Sequence, residues 1–276
     1  HVAALDAVTG AATAWNPGAD GEVLALSVAE ETVYAGGDFL TIGGQARNRI
    51  AALDAATGTP TAWNPSVGGT VHALAVSGST VCAGGAFQSV GGQTRNRIAA
   101  LDAATGTATS WNPNANSTVR TLVVSGTTVY AGGIFTSIGG QTRNRIAALS
   151  TTTGSATSWN PNANNSVYVL KASGSTVYAG GAFTSIGGQT RNRIAALDAA
   201  TGTATAFNPS ASGPVLALAV SGTTVYAGGT FTTIGGFARN RIARLNADGT
   251  LDETFNPDAN NYVFSIALQP DGKILI

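Results

Sequence analysis

A unit of 48 residues repeats along almost the whole chain, and this period constrains the fold more than any other feature of the sequence. The triplet Trp-Asn-Pro begins at residues 15, 63, 111 and 159, and Phe-Asn-Pro continues the series at residues 207 and 255. The motif Arg-Asn-Arg-Ile keeps the same spacing from residue 47 to residue 239. Repeats of about 40 to 50 residues are typical of units that bury their apolar faces only by stacking on copies of themselves.

Each period contains four short strand signals, as the third repeat illustrates. The first runs from Val119 to Val124, the second from Thr128 to Tyr130, the third from Arg145 to Leu149, and the fourth ends at Trp159. The first two and the last two are joined by tight turns, whereas a longer connection over residues 135–142 separates the second from the third. Four short antiparallel strands per period predict the blade of a β-propeller.

Counting the strand signals predicts six blades. First strands begin near residues 23, 71, 119, 167, 215 and 263, and third strands near residues 2, 50, 98, 146, 194 and 242. The sequence opens at a third strand and stops in a second strand, so its two ends together supply one blade that lacks only the connection between them. We therefore predict an all-β, six-bladed propeller of four-stranded blades, with residues 1–276 forming one domain. Because methionine is absent, we expect this domain to be part of a longer protein.

The last repeat carries a resemblance to a known family. The stretch Ile242-Ala-Arg-Leu-Asn-Ala-Asp-Gly-Thr-Leu-Asp-Glu-Thr-Phe-Asn-Pro257 and the stretch Leu268-Gln-Pro-Asp-Gly-Lys-Ile-Leu275 resemble the bacterial delta-60 repeat β-propellers. Earlier repeats differ, with Asp-Ala-Ala-Thr-Gly where the last has Asn-Ala-Asp-Gly. The resemblance implies a propeller within a large secreted or surface-attached bacterial protein, and it implies no reaction and no catalytic residues.

Charge and composition narrow the function classes. The net charge is zero and only 10% of residues are charged, so the chain lacks the basic surface of a nucleic-acid binder. No apolar run reaches the roughly 20 residues of a membrane helix. Cys82 is the single cysteine, and His1 and His72 are the only histidines. Since Asp6, Asp54, Asp102 and Asp198 precede hairpin glycines, we interpret them as turn residues. We expect no catalytic site, no metal and no cofactor.

Long connections gather at one face of the predicted propeller, and binding usually occurs on such loops. This face includes Asn112 and Asn114, and also the strand-start pair Arg143 and Arg145. The arginines could bind carboxylates or sulfates of a polysaccharide, or they could hydrogen-bond loop carbonyls and lock neighbouring blades together. The Trp and Phe ring is open to a similar choice between stacking on sugars and packing between blades.

One position varies against the constant background of the repeats. It follows the first residue of each first strand, and its members are Leu24, His72, Arg120, Tyr168, Leu216 and Phe264. The variation indicates either an asymmetric ligand site near the axis, built from His72, Arg120 and Tyr168, or tolerance at a half-exposed position.

These observations lead to one expected function and one alternative. We expect a non-enzymatic extracellular or cell-surface module that contacts protein partners or other domains of its own chain. The alternative is a glycan-binding propeller with a polysaccharide ligand and repeated sites on the asparagine- and arginine-rich face.

Overall fold

The structure is a computed structural model that describes residues 2–276, and within them every regular element is a strand. His1 lies outside the described residues. Among the described residues, no helix has the length and apolar character needed to cross a membrane.

Five blades follow one another along the chain. Each has a three-stranded antiparallel sheet and a separate short hairpin. Blade 1 comprises β1 (Val23–Ala29), β2 (Thr32–Gly37), β3 (Thr41–Ile42), β4 (Gln45–Ala46) and β5 (Ile50–Asp54); blade 2 comprises β6 (Val71–Ser77), β7 (Thr80–Gly85), β8 (Ser89–Val90), β9 (Gln93–Thr94) and β10 (Ile98–Asp102). Blade 3 comprises β11 (Val119–Ser125), β12 (Thr128–Gly133), β13 (Ser137–Ile138), β14 (Gln141–Thr142) and β15 (Ile146–Ser150).

The pattern continues to the end of the chain. Blade 4 comprises β16 (Val167–Ser173), β17 (Thr176–Gly181), β18 (Ser185–Ile186), β19 (Gln189–Thr190) and β20 (Ile194–Asp198); blade 5 comprises β21 (Val215–Ser221), β22 (Thr224–Gly229), β23 (Thr233–Ile234), β24 (Phe237–Ala238) and β25 (Ile242–Leu245). A terminal hairpin pairs β26 (Ala267–Leu268) with β27 (Ile274–Leu275). The first strands of consecutive blades neighbour one another, from β1 through β6, β11, β16 and β21 to β26.

Two local features differ from the sequence expectation. The predicted fourth strand is reduced to one bridge per repeat, such as Leu149 with Ala156. In blade 3 the segment predicted as the fourth strand also bonds to a second element, because the Ala156 amide donates to the Gly139 carbonyl. Gly139 belongs to the second feature, a short hairpin within the connection predicted as a loop. Gly139 and Gly140, with φ of 62° and 77°, make its turn, a backbone shape that suits glycine at both central positions.

The core lies between blades rather than within them. At the interface of blades 2 and 3, Trp111 and Cys82 of one blade pack with Val119 and Leu122 of the next. Close approach requires glycine at this interface. A Cβ on Gly84 would lie 2.7 Å from the Val119 side chain. Each blade therefore depends on its neighbour to bury its apolar face, as expected of a repeat architecture.

The two ends of the chain lie beside each other. Gln269 Nε2 donates to the Ala7 carbonyl at 3.3 Å, and Lys273 Nζ donates to the Val8 carbonyl at 3.4 Å. The described strand pairs include no ladder between these segments. The predicted third strand near residue 2 and first strand near residue 263 are therefore not formed as expected, since residues 2–4 are not in a strand and β26 begins only at Ala267. Leu26 in β1 is 51% exposed, whereas its counterpart Leu122 in β11 is 8% exposed because blade 2 covers it.

Candidate axial binding site

The variable position of the repeat is the bulged residue of each first strand. The pairing of β11 with β12 passes from Val119 directly to Thr121, so Arg120 has no partner in the ladder. The same shift leaves Leu24, His72, Tyr168 and Leu216 unpaired in the other blades. A β-bulge bends its strand and redirects one side chain, and bulges are common beside functional sites.

The bulges direct these side chains into one cavity. It has a volume of about 470 Å³ and is lined by Leu24, His72, Arg120, Tyr168, Pro214, Leu216, Thr230 and Phe264. All six members of the variable set are therefore brought together, although as many as 240 residues of chain separate Leu24 from Phe264. The cavity forms at the end of the first strands where the long connections lie.

Electrostatics make the cavity asymmetric. The Arg120 guanidinium lies over the Tyr168 ring, 5.5 Å from its centroid, an arrangement that orients the cation. Burial lowers the pKa of His72, and the neighbouring Arg120 charge lowers it further against an opposing contribution from Asp38. Since the ordinary pKa of histidine is about 6.5, a lowered pKa makes the neutral form of His72 the major one at pH 7. Arg120 thus supplies the positive charge of this cavity.

A second cavity adjoins the first and is lined by acidic side chains instead of a cation. It is lined by Asp20, Gly21, Glu22, Val23, Leu24 and Phe264 and measures about 690 Å³. Leu24 and Phe264 line both cavities. One carboxylate oxygen of Asp20 is already hydrogen-bonded within the protein, because Oδ1 accepts from the backbone amides of Leu40 and Thr41.

Arg143 and Arg145 make hydrogen bonds within the protein. Arg143 donates to the carbonyls of Thr142 and Thr157 at 2.8 and 2.5 Å. Arg145 adopts φ of 62° and donates to the Ala163 carbonyl at 3.5 Å, in the loop that leads to blade 4. The contacts of Arg143 therefore stay within blade 3, and only Arg145 reaches the connection to blade 4, so the choice between blade locking and ligand binding stays open for this pair.

The asparagines of the same face differ from one another. Asn114 has φ of 53°, and its Oδ1 accepts a hydrogen bond of 2.7 Å from Asn96. Asn112 is exposed, and its side chain makes no hydrogen bond with the described residues. The equivalent Asn160 borders a cavity of about 550 Å³ that also includes Asn162 and Gln189. These loop-face asparagines are separate from the axial cavity.

The Trp and Phe ring packs between blades. Trp111 is 5% exposed, and its Nε1 donates to the Ser150 carbonyl of the next blade at 2.8 Å. Phe207 keeps the packing without a donor, and Tyr178 lies edge-on to it at 5.5 Å. The turn prediction for aspartate is likewise confirmed, since Asp54 Oδ1 accepts hydrogen bonds from the Ala56 and Thr57 amides.

Sequence reasoning missed two residues of the axial cavity, Pro214 and Thr230. A signal was present for Thr230. Its equivalents are Asp38, Ala86, Ile134 and Ala182, which also vary while the preceding Gly-Gly pair is constant. Among the described residues, no group of three or more histidine, cysteine, aspartate or glutamate side chains is arranged to hold a metal ion.

The strand-only repeats and their axial cavity define the chain as an all-β protein of the propeller-like class. A family model described as "Domain of unknown function (DUF5122) beta-propeller" matches residues 175–203 and 224–255, in blades 4 and 5. The match supports a β-propeller repeat family. No curated protein sequence matches the chain.

Solved structures support the same fold class. The chain is similar to a protein in a crystal structure of the mitotic checkpoint complex, with 17% identity, a TM-score of 0.66, and coverage of 97% of this chain and 77% of that one. The computationally designed Ika8 protein gives 16% identity, a TM-score of 0.52, and coverage of 93% and 96%. The extracellular domain of the putative one-component system BT4673 from B. thetaiotaomicron gives 16% identity, a TM-score of 0.57, and coverage of 91% and 31%.

Proposed function

We propose that this chain is a non-enzymatic interaction module, exposed outside the cell or at its surface, that binds a partner through its axial face. The observation that carries the proposal is the set of five β-bulges, which direct varied side chains into one cavity on an otherwise repeated framework. A repeated scaffold with one varied concave site suits selective binding better than architecture alone.

Binding rather than catalysis is supported by how the carboxylates are used. Asp54 and Asp102 accept turn hydrogen bonds, while Asp252 and Asp271 pair with Arg244 and Lys273. None of these carboxylates lines the axial cavity. An extracellular location is supported by the bacterial delta-60 resemblance of the last repeat and by the likeness to the BT4673 extracellular domain.

The assignment to the delta-60 repeat family, with six blades closed by a shared blade, belongs to the same proposal. The contacts of Gln269 with Ala7 and of Lys273 with Val8 support closure. Continuing the register of β12 and β15, in which Tyr130 faces Ala148, pairs Leu275 with Ala4.

Closure can be tested with a disulfide. In a Cys82→Ala background, Ala4→Cys and Leu275→Cys should form a cross-link under mild oxidation, because directly opposed strand residues have the Cα separation that a disulfide needs. The matched control pairs Ala4→Cys with Ile274→Cys, whose side chain lies on the opposite face of the strand. Equal cross-linking of both pairs, or of neither, would contradict the proposed register.

The interaction proposal is tested by comparing two variants on one array that displays bacterial glycans and extracellular peptides. The axial variant carries His72→Leu, Arg120→Leu and Tyr168→Leu, and leucine is the residue that blades 1 and 5 already have at this position. The loop variant carries Asn112→Ala and Asn160→Ala. Ligands that bind the wild-type chain and the loop variant, but not the axial variant, are the expected result. Ligands that bind all three chains equally would refute the axial site.

The glycan-binding alternative is favoured by a different observation. The asparagine after each Trp or Phe is exposed, and its side chain makes no hydrogen bond with the described residues in any of the six repeats. A free amide can donate to and accept from sugar hydroxyls. This alternative predicts that the loop variant loses binding to one sugar class while the axial variant retains it.

A further inference from the structure

Almost every cation of this protein already has an oxygen partner. Of the fourteen lysines and arginines, all except Arg120 and Lys171 donate a hydrogen bond to a protein oxygen within the described residues. Lys171 is exposed in the middle of β16 and lines neither axial cavity. Within residues 2–276, Arg120 thus lines the axial cavity and makes no hydrogen bond to a protein oxygen, so its N–H groups can donate to a ligand.

Part of the wall of the axial cavity is apolar. Leu24, Leu216 and Phe264 line the same cavity, and Leu24 and Phe264 are 43% and 71% exposed. Apolar side chains that line a concave place together with a few polar groups are typical of a small-molecule site. A free guanidinium next to an apolar wall suits a ligand that has both an anionic group and an apolar body.

We propose that the axial cavity binds an amphipathic organic anion, whose acidic group accepts hydrogen bonds from Arg120 and whose apolar body packs against Leu216 and Phe264. This inference rests on the proposed function, because it assigns a ligand class to the same axial site. No aspartate or glutamate lines this cavity, and Asp38, whose charge acts on His72, is paired with Arg49 at 3.1 Å. The Tyr168 ring holds the guanidinium in place and leaves its N–H groups free to donate.

The probes are three molecules that separate the two parts of the ligand. 8-Anilinonaphthalene-1-sulfonate has both parts, N-phenyl-1-naphthylamine has the apolar body without the sulfonate, and inorganic sulfate has the anion alone. Binding of the two dyes is measured by fluorescence titration. Binding of all three is located by NMR, because His72 lies in the cavity and the chain has only one other histidine, at its first residue.

The test variant is Arg120→Leu, and the control variant is Lys171→Leu, which removes the other unpartnered cation. We expect the sulfonate dye to shift the His72 signals and to bind the Arg120→Leu variant about tenfold or more weakly, as for the loss of one hydrogen bond to a charged group. The neutral dye should bind both variants alike, sulfate should bind far more weakly than the sulfonate dye, and Lys171→Leu should change nothing.

Two results would overturn the inference. The first leaves the proposed interaction function standing, and the second refutes that function as well. If both dyes shift His72 with equal affinity and Arg120→Leu has no effect, the axial site binds apolar ligands and the anion class is wrong, while the interaction function stands. If no probe shifts His72, while the sulfonate dye still binds elsewhere on the chain, the cavity is not a ligand site and the axial interaction function fails with it.

Discussion

The interface between blades 2 and 3 contains a defect that a single substitution should repair. Tyr34, Tyr130, Tyr178 and Tyr226 each lie edge-on to the aromatic residue at the end of their own blade's fourth strand, as Tyr130 does to Trp159 at 5.0 Å. Blade 2 has Cys82 at this position, and a cavity of about 70 Å³ lies between Cys82 and Trp111. We predict that Cys82→Tyr fills the cavity and stabilises the protein.

The size of the effect follows from the cavity. At about 24 cal/mol per Å³, removing a cavity of about 70 Å³ contributes about 1.7 kcal/mol. An edge-on aromatic pair with Trp111 adds about 0.5 to 1.5 kcal/mol. Imperfect fit of the larger ring opposes both contributions. We therefore expect a gain of about 1 to 3 kcal/mol, which raises the melting temperature by about 2 °C per kcal/mol in a chain of this size.

The assay is urea unfolding followed by tryptophan fluorescence, together with thermal unfolding. Burial raises the pKa of Cys82 to about 11, so in the wild-type chain its reaction with a thiol reagent at pH 8 also reports opening of this interface. Cys82→Ala separates loss of the thiol from filling of the cavity and should give no gain. The reverse change, Tyr130→Cys, should destabilise by a similar amount. An unchanged or lower midpoint for Cys82→Tyr, with Tyr130→Cys neutral, would refute the reasoning.

Three further predictions concern other parts of the molecule. Trp111→Phe should lower the free energy of unfolding by about 0.5 to 1.5 kcal/mol in urea titrations, because the Ser150 carbonyl loses its indole donor. Asp102→Ser, which copies the natural Ser150, should make the free energy of unfolding less dependent on pH, as measured by unfolding at pH 7 and pH 2.5. Hydrogen bonds from Thr105 lower the pKa of Asp102 in the folded protein. The stabilisation by Asp102 is therefore present above the unfolded pKa of about 3.9 and is lost as pH falls through the lower folded pKa. Arg120→Leu should raise the pKa of His72 toward its ordinary value in an NMR titration, and an unchanged value would contradict the assigned charge contact.

The acid prediction has an internal control in the hairpin of blade 3. Ser150 Oγ accepts hydrogen bonds of 3.2 and 3.3 Å from the Thr152 and Thr153 amides, so a hydroxyl can make this turn without a titratable group. If Asp102→Ser unfolds at acid pH with the same loss of stability as the wild-type chain, the turn carboxylate does not contribute to acid sensitivity.

Much of the fold was predictable because the repeat presents the same local signals several times. The third strands begin at Ile50, Ile98 and Ile146 as predicted, since an apolar run bounded by turn residues leaves little choice of register. The fourth strand was overestimated. It makes one bridge to the third strand in each repeat, and in blade 3 the Ala156 amide donates to the Gly139 carbonyl of the short hairpin, a contact that glycine pairs alone do not reveal.

The candidate site was only half predictable. Variation against a constant repeat identified Arg120 and its counterparts, because a position free of packing constraints can change from blade to blade. The β-bulge at Arg120 could not be predicted from residue type, because the bulged residues of other blades include leucine, histidine and tyrosine. Likewise, the partners of Arg143 are carbonyl oxygens, which every residue has, so no sequence pattern separates an arginine that locks a blade from one that binds a ligand.

The sequence by itself determined the unit of this protein: its period, its strands, its turn residues and the position at which the repeats differ. These depend on short-range backbone preferences and on alternating apolar residues, which are present in the chain before it folds. Only the tertiary structure decided which side chains meet. Arg120 lies over Tyr168 and shares a cavity with Phe264 because first strands distant in sequence approach one another side by side, and the empty volume at Cys82 exists only where two blades stack.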